Sequence, residues 1–136
     1  METKMDFKMK LIKDSTILSE DEYYLVKKGT DFLAANYYNS NFNWPENADY
    51  NLLYIKDKLV GFVIVELWPE SSFAFLSKLY VEEDQRGKGY GALLINYVKS
   101  FYKNYNQIEA GVVLENTASI NLFEKLATKK ALLFQL

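Results

Sequence analysis

The sequence of 136 residues contains no cysteine and no histidine. Without cysteine the chain has no disulfide, no thiol nucleophile and no thiolate metal site. Without histidine it lacks the most common general base and metal ligand, and every Ser-His-Asp scheme is excluded. Acid–base chemistry must therefore use Asp, Glu, Tyr, Lys, a terminus or water, and we expect no metal site.

Proline, glycine and long apolar runs are also scarce. The chain has 2 Pro and 6 Gly, whereas 49% of its residues are hydrophobic, which favours a folded core over disorder. The length suits one domain over residues 1–136. No stretch approaches the roughly 18 apolar residues of a membrane helix. Lysine and methionine alternate near the N-terminus, so we expect neither a signal peptide nor a membrane partner, and a cytoplasmic location.

The excess of charge of either sign is small. The net charge is −2 and the sequence pI is about 5.2. This balance gives no general drive toward nucleic acid, and we expect no nucleic-acid partner. It slightly favours basic substrates without deciding their identity.

Hydrophobic periodicity predicts alternating strands and helices. Residue Ser19 predicts a capped helix start, and Gly29 marks a possible break between two helices that extend to about Tyr38. In chain order the predicted elements are a strand at 7–13, helices at 20–38, a loop at 39–49, a hairpin at 51–68, a strand at 73–81, a helix at 91–105, a strand at 108–114, a helix after 116 and one short strand at 131–136. The pattern predicts an α+β (α/β) fold with one sheet and helices on both faces.

The most informative segment is residues 85–91, QRGKGYG, with three glycines in five residues. It lies between a predicted strand and an amphipathic helix. Glycine lets a backbone approach a ligand closely, and the unpaired amides of a helix N-terminus attract anions. Arg86 and Lys88 add positive charge, so the segment predicts a phosphate-binding loop.

Other interpretations of this loop fit less well. A Walker loop needs Gly-Lys followed by Ser or Thr, but Gly87-Lys88 is followed by Gly89. The dinucleotide fingerprint is formally met by Gly87, Gly89 and Ala92, yet that motif directly follows the first strand of a βαβ unit, and here the loop lies mid-chain. A glycine-rich turn without a ligand remains the structural alternative.

The flanking residues carry a family resemblance. Residues 86–91, RGKGYG, match in full the pattern Arg or Gln, two residues, Gly, one residue, Gly or Ala. Residues 116–126, NTASINLFEKL, are similar to a second signature, an Asn followed by a helix with an aromatic-Glu-Lys-Leu run. With these two signatures the chain resembles the GNAT family of N-acetyltransferases over residues 8–126. The resemblance implies a mixed, mainly antiparallel central sheet flanked by helices.

The resemblance also implies acetyl-CoA as the cofactor. It implies that the pyrophosphate is held by Arg86, Gly87, Lys88, Gly89, Tyr90 and Gly91. It implies that the pantetheine arm lies along Leu79, Tyr80 and Val81, with the Val81 amide polarising the thioester carbonyl. Asn116 is either a contact to this arm or a plain helix cap. Phe123, which we place among the cofactor contacts, stands where the family often has a proton-donating Tyr.

The reaction implied is direct attack on the thioester by a primary amine of a small molecule, a peptide N-terminus or a lysine. Such an amine must lose a proton, so a base helps. We consider Glu66, Glu82 and Tyr80, and in the catalytic set we place Glu66, Tyr80 and Val81. The alternative for Glu66, which the sequence favours, is a solvent-facing strand residue. Asp31, Glu46 and Asp49 are either attractors of a cationic amine or ordinary surface carboxylates.

Two departures from the family keep other functions open. Phe123 has no proton to give, which favours a weakly active or purely acyl-CoA-binding module as the alternative. After Leu126 the sequence predicts only one short strand, so a reduced substrate side and an unpaired edge suggest a homodimer. An unrelated interaction domain with a surface of Tyr and Phe is the third class.

Overall fold

The computed structural model describes residues 6–34, 45–111, 117–130 and 133–136. Within them the chain forms seven strands and three helices. The strands are β1 (Phe7–Ile12), β2 (Ala48–Ile55), β3 (Lys58–Trp68), β4 (Phe73–Val81), β5 (Gln107–Gly111), β6 (Thr128–Lys130) and β7 (Leu133–Gln135). The helices are α1 (Glu20–Leu33), α2 (Tyr90–Phe101) and α3 (Thr117–Leu126).

The strands form one sheet in the order β1-β2-β3-β4-β5-β7-β6. Every neighbouring pair is antiparallel except β4 and β5, which are parallel because the α2 crossover joins them. The recorded pairs between these two strands run only from Phe73↔Gln107 to Leu76↔Ala110. The predicted α+β class and the mixed, mainly antiparallel sheet are confirmed.

The two faces of the sheet are covered by different helices. On one face, which we call the α1 face, Val26 of α1 packs against Phe62 and Tyr80. On the other, which we call the α2/α3 face, Leu94 and Phe123 belong to a second core cluster. Strand residues alternate between the two clusters because successive side chains of a strand point to opposite faces.

Helix α1 begins with the predicted capping box, in which the Ser19 hydroxyl accepts from the Glu22 amide and the Glu22 carboxylate from the Ser19 amide. The predicted break at Gly29 is wrong, since α1 continues through it to Leu33. A Cβ at Gly29 would lie 2.6 Å from Phe62 Cε1 and 2.7 Å from Tyr80 Cγ. Glycine is therefore required for the close approach of α1 to the sheet.

The predicted single C-terminal strand is also wrong, because β6 precedes β7 and pairs with it. The polar sequence of β6 hid it, yet lysine is common on edge strands because it discourages further pairing. Helix α2 ends at Phe101, earlier than predicted, and β2 begins at Ala48, earlier than predicted. The predicted end of the first helical region and the end of the 108–114 strand lie outside the described residues. Among the described helices, none is both long and apolar enough to cross a membrane.

Candidate active site

The glycine loop lies between β4 and α2, after a short 3-10 turn at Glu83–Gln85. Gly87 and Gly89 have φ values of 79° and 86°, and Gly89 is the N-cap of α2. Glycine adopts these positive φ values without the steric penalty that a Cβ imposes. A Cβ at either position would meet no described atom within 4 Å, so the backbone, not crowding, calls for glycine here. The amides of the first turn of α2 consequently face a solvent-accessible surface.

This loop borders a cleft of about 290 Å³. The predicted site residues that line it are Leu79, Tyr80, Val81, Arg86, Gly87, Gly89, Tyr90 and Gly91. The remaining lining residues, which sequence reasoning missed, are Phe32, Leu33, Gln85, Ser119 and Leu122. Of these residues, only Ser119 and Leu122 could have been predicted from the sequence, because they lie within the second signature. Phe32 and Leu33 enter the cleft because α1 lies flat on β4.

The end of β4 forms one wall of the cleft. A register shift between Ile64 and Val65 leaves Ser77 without a Cα partner on β3, so the side chains of β4 change faces at this bulge. Leu79 and Val81 therefore pack on the α2/α3 face, while Tyr80 packs on the α1 face. The α2/α3 face is therefore lined by even-numbered residues before the bulge, such as Leu76, and by odd-numbered residues after it, such as Leu79.

The backbone of this strand end presents hydrogen-bonding groups to the cleft. The Glu82 amide donates to the Val60 carbonyl at 2.8 Å, so at Glu82 the chain faces β3. Backbone groups alternate between the two edges of a strand, hence those of Leu79 and Val81 face the opposite edge. This is the edge on which an extended ligand can pair with β4.

Tyr80 is buried, with its ring centroid 5.8 Å from those of Phe32 and Phe62. Burial, reinforced by the charge of Glu82, raises the pKa of the Tyr80 phenol, so it keeps its proton near neutral pH. Glu82 forms an ion pair with Lys28 at 3.0 Å. A protonated phenol can donate a hydrogen bond, but its raised pKa makes it a weaker proton donor.

Glu66 lies on β3, away from the residues that line the cleft. It pairs with Phe75, and two residues earlier Ile64 pairs with Lys78. Glu66 and Lys78 are therefore diagonal neighbours on adjacent strands. Alternate residues of a strand share a face, so Glu66 lies on the same face as Ile64, and Lys78 on the same face as Tyr80. That face is the α1 face. Burial lowers the pKa of Lys78, and the charge of Glu66 opposes this shift. Sequence reasoning missed Lys78, whose only signal is a cation within an otherwise apolar strand.

The other candidates lie apart from the cleft lining. Phe123 is 3% exposed and its ring stacks on Phe134 at 5.5 Å, so its cofactor contact stays a prediction. Lys88 is exposed and donates to Gln85 Oε1 at 3.2 Å. Asn116 lies outside the described residues. No cluster of three acidic side chains suited to a metal ion occurs within the described ranges.

Of the carboxylates considered for attracting an amine, Asp49 is buried on the α2/α3 face. It accepts from the Tyr102 hydroxyl at 2.8 Å and lies 3.4 Å from the Lys13 ammonium. Asp31 is exposed and pairs with Lys27 at 2.7 Å, and Glu46 is exposed. Asp49 therefore has a structural role in this fold.

Comparison with known proteins decides the family. The family model described as the acetyltransferase (GNAT) family matches residues 15–127. The chain belongs to the GNAT acetyltransferase family. The resemblance drawn from the two signatures is thereby confirmed, and the cleft lies between the first signature and the helix of the second.

Relatives of this GNAT protein include the L-2,4-diaminobutyric acid acetyltransferase of Marinococcus halophilus, 38% identical over 77 residues. That match covers 54% of this chain and 45% of the relative, so the chain spans less than half the length of the curated enzyme it matches.

Solved structures extend the likeness in fold. A GNAT acetyltransferase of Elizabethkingia anophelis with acetyl-CoA bound superposes with a TM-score of 0.67 at 18% identity, covering 91% of this chain and 76% of the other. An aminoglycoside acetyltransferase from an uncultured soil metagenomic sample, in complex with sisomicin, gives 0.70 at 14% identity, covering 93% and 92%. Both support the GNAT fold over nearly the whole chain.

Proposed function

We propose that this protein is an N-acetyltransferase that moves an acetyl group from acetyl-CoA to a primary amine. The observation that carries the proposal is the glycine loop. Two glycines with positive φ precede α2 beside a cleft whose other wall is the end of β4, which pairs with no described strand on its cleft edge beyond Leu76. This combination offers an anion site next to a strand edge, which suits a ligand with a diphosphate and an extended amide-containing arm.

The residues present fit acetyl-CoA. The amides of residues 87–91 would hold the diphosphate, and the cleft edge of Leu79 and Val81 would pair with the amides of the pantetheine arm. The Val81 amide faces the cleft and is suited to polarise a carbonyl there. Acetyl-CoA, when bound, supplies an acetyl group on a thioester, which a neutral amine can attack directly. In the Elizabethkingia anophelis neighbour, acetyl-CoA is the bound molecule.

The amine acceptor would approach from the α1 face, because the glycine loop and α2 occupy the opposite side of β4. On the α1 face Glu66 and Lys78 place opposite charges on neighbouring strands. Glu66 is suited to attract an ammonium group and to accept its proton, and Lys78 to attract a carboxylate. Acceptors with both groups, such as the diaminobutyric acid named for the Marinococcus halophilus relative, are therefore the first class to test.

A proton must also reach the departing thiolate. Tyr80 lines the cleft and, through the upward shift of its pKa by burial, holds a proton at neutral pH. A thiol has an ordinary pKa of about 8.5, so the thiolate is a fair leaving group even without strong acid catalysis. We assign Tyr80, or water beside it, to this step.

The test is calorimetric titration with acetyl-CoA of the wild type, Gly89→Glu and Gly89→Ala. Gly89→Ala isolates the strain of a positive φ, because its Cβ has room. Gly89→Glu adds bulk and negative charge at the diphosphate position. We expect the Glu variant to lose at least about 100-fold in affinity and the Ala variant about tenfold or less. No binding by the wild type would refute the proposal.

Binding without turnover is the second candidate function, and the position of Phe123 favours it. Phe123 has no ionisable group and is buried against Phe134. An acceptor screen separates the two functions once acetyl-CoA binding is established. Release of CoA with 2,4-diaminobutyrate, polyamines, peptides or lysine supports transfer, whereas tight binding with no release from any amine supports the binding module.

Homodimerisation and a cytoplasmic location stay predictions. The sheet ends in the three-residue strand β6 on one side and in β1 on the other. An unpaired strand edge favours association with a second copy, whereas the lysines of both edge strands oppose it. A monomeric mass by light scattering at the concentration of the activity assay would contradict the dimer.

A further inference from the structure

The Arg86 side chain is turned back onto the protein rather than outward along the glycine loop. Its Nε donates to the Val81 carbonyl oxygen at 2.9 Å. Its guanidinium carbon lies 5.3 Å from the ring centroid of Phe32 and 5.5 Å from that of Tyr80. One side chain of the loop thus contacts both β4 and the last turn of α1.

The hydrogen bond from Arg86 reaches a particular carbonyl. The groups of Val81 face the cleft edge of β4, because the next amide, that of Glu82, donates to β3. Arg86 therefore caps the last carbonyl of β4 on its cleft edge. The Val81 amide and both backbone groups of Leu79 lie further along the edge that an extended ligand would use.

The aromatic contacts add a second tie. A planar guanidinium near an aromatic face gains cation–π and stacking energy, and an ammonium reproduces neither the plane nor the fork of donors. Phe32 and Tyr80 are themselves in edge-to-face contact at 5.8 Å, and Tyr80 is buried. The aromatic pair is a fixed surface against which Arg86 can hold the loop.

Lys88, two residues further on, is arranged differently. Both residues are exposed, but the Lys88 ammonium donates only to the side chain of Gln85, at 3.2 Å, among the described hydrogen bonds. Breaking one exposed hydrogen bond costs little, so Lys88, although outside the cleft lining, can turn toward an anion at the helix start. Arg86 lines the cleft, but its Nε is already bonded to the Val81 carbonyl.

We propose that the Arg86 side chain is a positioning residue that holds the glycine loop against β4 and Phe32, while the loop amides and Lys88 supply the positive charge that meets the diphosphate. This inference rests on the proposed function for the identity of the ligand. It gives the two basic side chains of one short motif separate tasks.

The test measures CoA affinity between about 50 and 300 mM salt, since each lost charge contact with a phosphate reduces the salt dependence. The variants are Arg86→Ala, Arg86→Lys, Phe32→Leu, the double variant Phe32→Leu/Arg86→Ala, and Lys88→Ala as the matched loop cation. We expect Arg86→Lys to lose about as much affinity as Arg86→Ala, roughly tenfold, with the salt dependence of the wild type. Lys88→Ala should flatten the salt dependence.

The outcome that overturns the proposal is equally distinct. A phosphate ligand acting through its charge would be rescued by Arg86→Lys, and Arg86→Ala would flatten the salt dependence. The effects of Phe32→Leu and Arg86→Ala on CoA affinity would then be additive in the double variant.

A ligand-free measurement keeps this inference separate from the proposed function. In the free protein, hydrogen exchange of the Gln85 and Leu93 amides, which donate to the Glu82 and Gly89 carbonyls on either side of the loop, should quicken in Arg86→Ala and Phe32→Leu, with no further increase in the double variant. Additive effects, or no effect, would refute the positioning role. If the wild type binds no CoA, the proposed function fails, and this experiment still decides the role of Arg86.

Discussion

On the α1 face of the sheet, a helix touches the strands at a glycine and a buried carboxylate is held by several donors. Glu22 is fully buried there and accepts from Lys10, Tyr54 and the Ser19 amide. On the α2/α3 face the helices pack through both aliphatic and aromatic side chains, and the buried carboxylate of Asp49 is bound mainly by Tyr102. Both faces have an apolar core, and the α1 face adds a carboxylate with several donors and a closer helix–sheet contact at Gly29.

The two sides of the candidate site also differ. The proposed cofactor side is a continuous stretch of backbone before and at the start of α2. The proposed acceptor residues Glu66 and Lys78 come from two strands whose register brings them together, while Tyr80 lies further along β4. The first arrangement is local in the chain, whereas the second depends on strand pairing.

Acidification should reduce the stability of the protein, beginning with the contribution of Glu22 on the α1 face. Burial alone would raise the pKa of Glu22, but the hydrogen bonds from Lys10, the Ser19 amide and Tyr54 outweigh it and lower this pKa to about 2. A lowered folded-state pKa stabilises the protein above the ordinary value of 4.5, and this stability is lost as the pH falls toward 2. The contribution is at most about 3 kcal/mol.

Urea unfolding of wild type and Glu22→Gln from pH 7 to pH 2.5 measures this contribution of Glu22 to the free energy of unfolding. We expect the variant to be less stable at pH 7 and the difference to shrink steadily below pH 4.5. Glu20→Gln, an exposed change in the same helical turn, is the control and should follow the wild type closely. A constant difference between wild type and Glu22→Gln across the range would contradict this role for the charge.

Adding a methyl group at a helix glycine on each face compares how closely the helices pack on the two faces of the sheet. In Gly29→Ala the new Cβ would lie 2.6 Å from Phe62 Cε1, so a buried ring or the helix must move. We expect a loss of about 2 kcal/mol in the free energy of unfolding. In Gly91→Ala the new Cβ would lie 2.9 Å from Leu122 Cδ2, a methyl at the end of a flexible side chain. The better helix propensity of alanine should offset that smaller cost to within about 1 kcal/mol.

Chemical denaturation of both variants, with the slope of the transition recorded, provides the measurement. Equal losses in Gly29→Ala and Gly91→Ala would show that the faces do not differ in this way. A stable Gly29→Ala protein with full acetyl-CoA binding would remove the argument that α1 needs this close approach.

The smallest effect is expected from Phe123→Tyr, which restores the hydroxyl that the resemblance implies at this position. Phe123 packs against Phe134 and does not line the cleft, so the hydroxyl should not reach a departing thiolate. We expect kcat to change less than about twofold, with a modest loss of stability from the buried hydroxyl. An increase of tenfold or more in kcat would show that position 123 acts in the reaction. Phe134→Tyr, on the partner ring, is the matched control.

Much of the fold could be predicted from the sequence, because its signals are local. The capping box at Ser19, the strand Phe73–Val81 and the glycine loop each depend on residues within a few positions of one another. The failures at Gly29 and β6 have a common cause. A glycine in a helical pattern looks like a break until the ring beneath it is known, and a short polar strand is recognised only by the strand with which it pairs.

The conformation of the glycine loop was determined by the sequence itself, because positive φ at glycine and free amides at a helix start are properties of contiguous backbone. Tertiary structure alone decided the rest of the site. The tertiary fold packs Phe32 against Arg86 and buries Phe123 in the core. It also buries Asp49 away from the cleft and places Lys78 on the strand next to Glu66. These relations depend on sheet register and helix docking, whose energies arise from contacts between residues far apart in the chain.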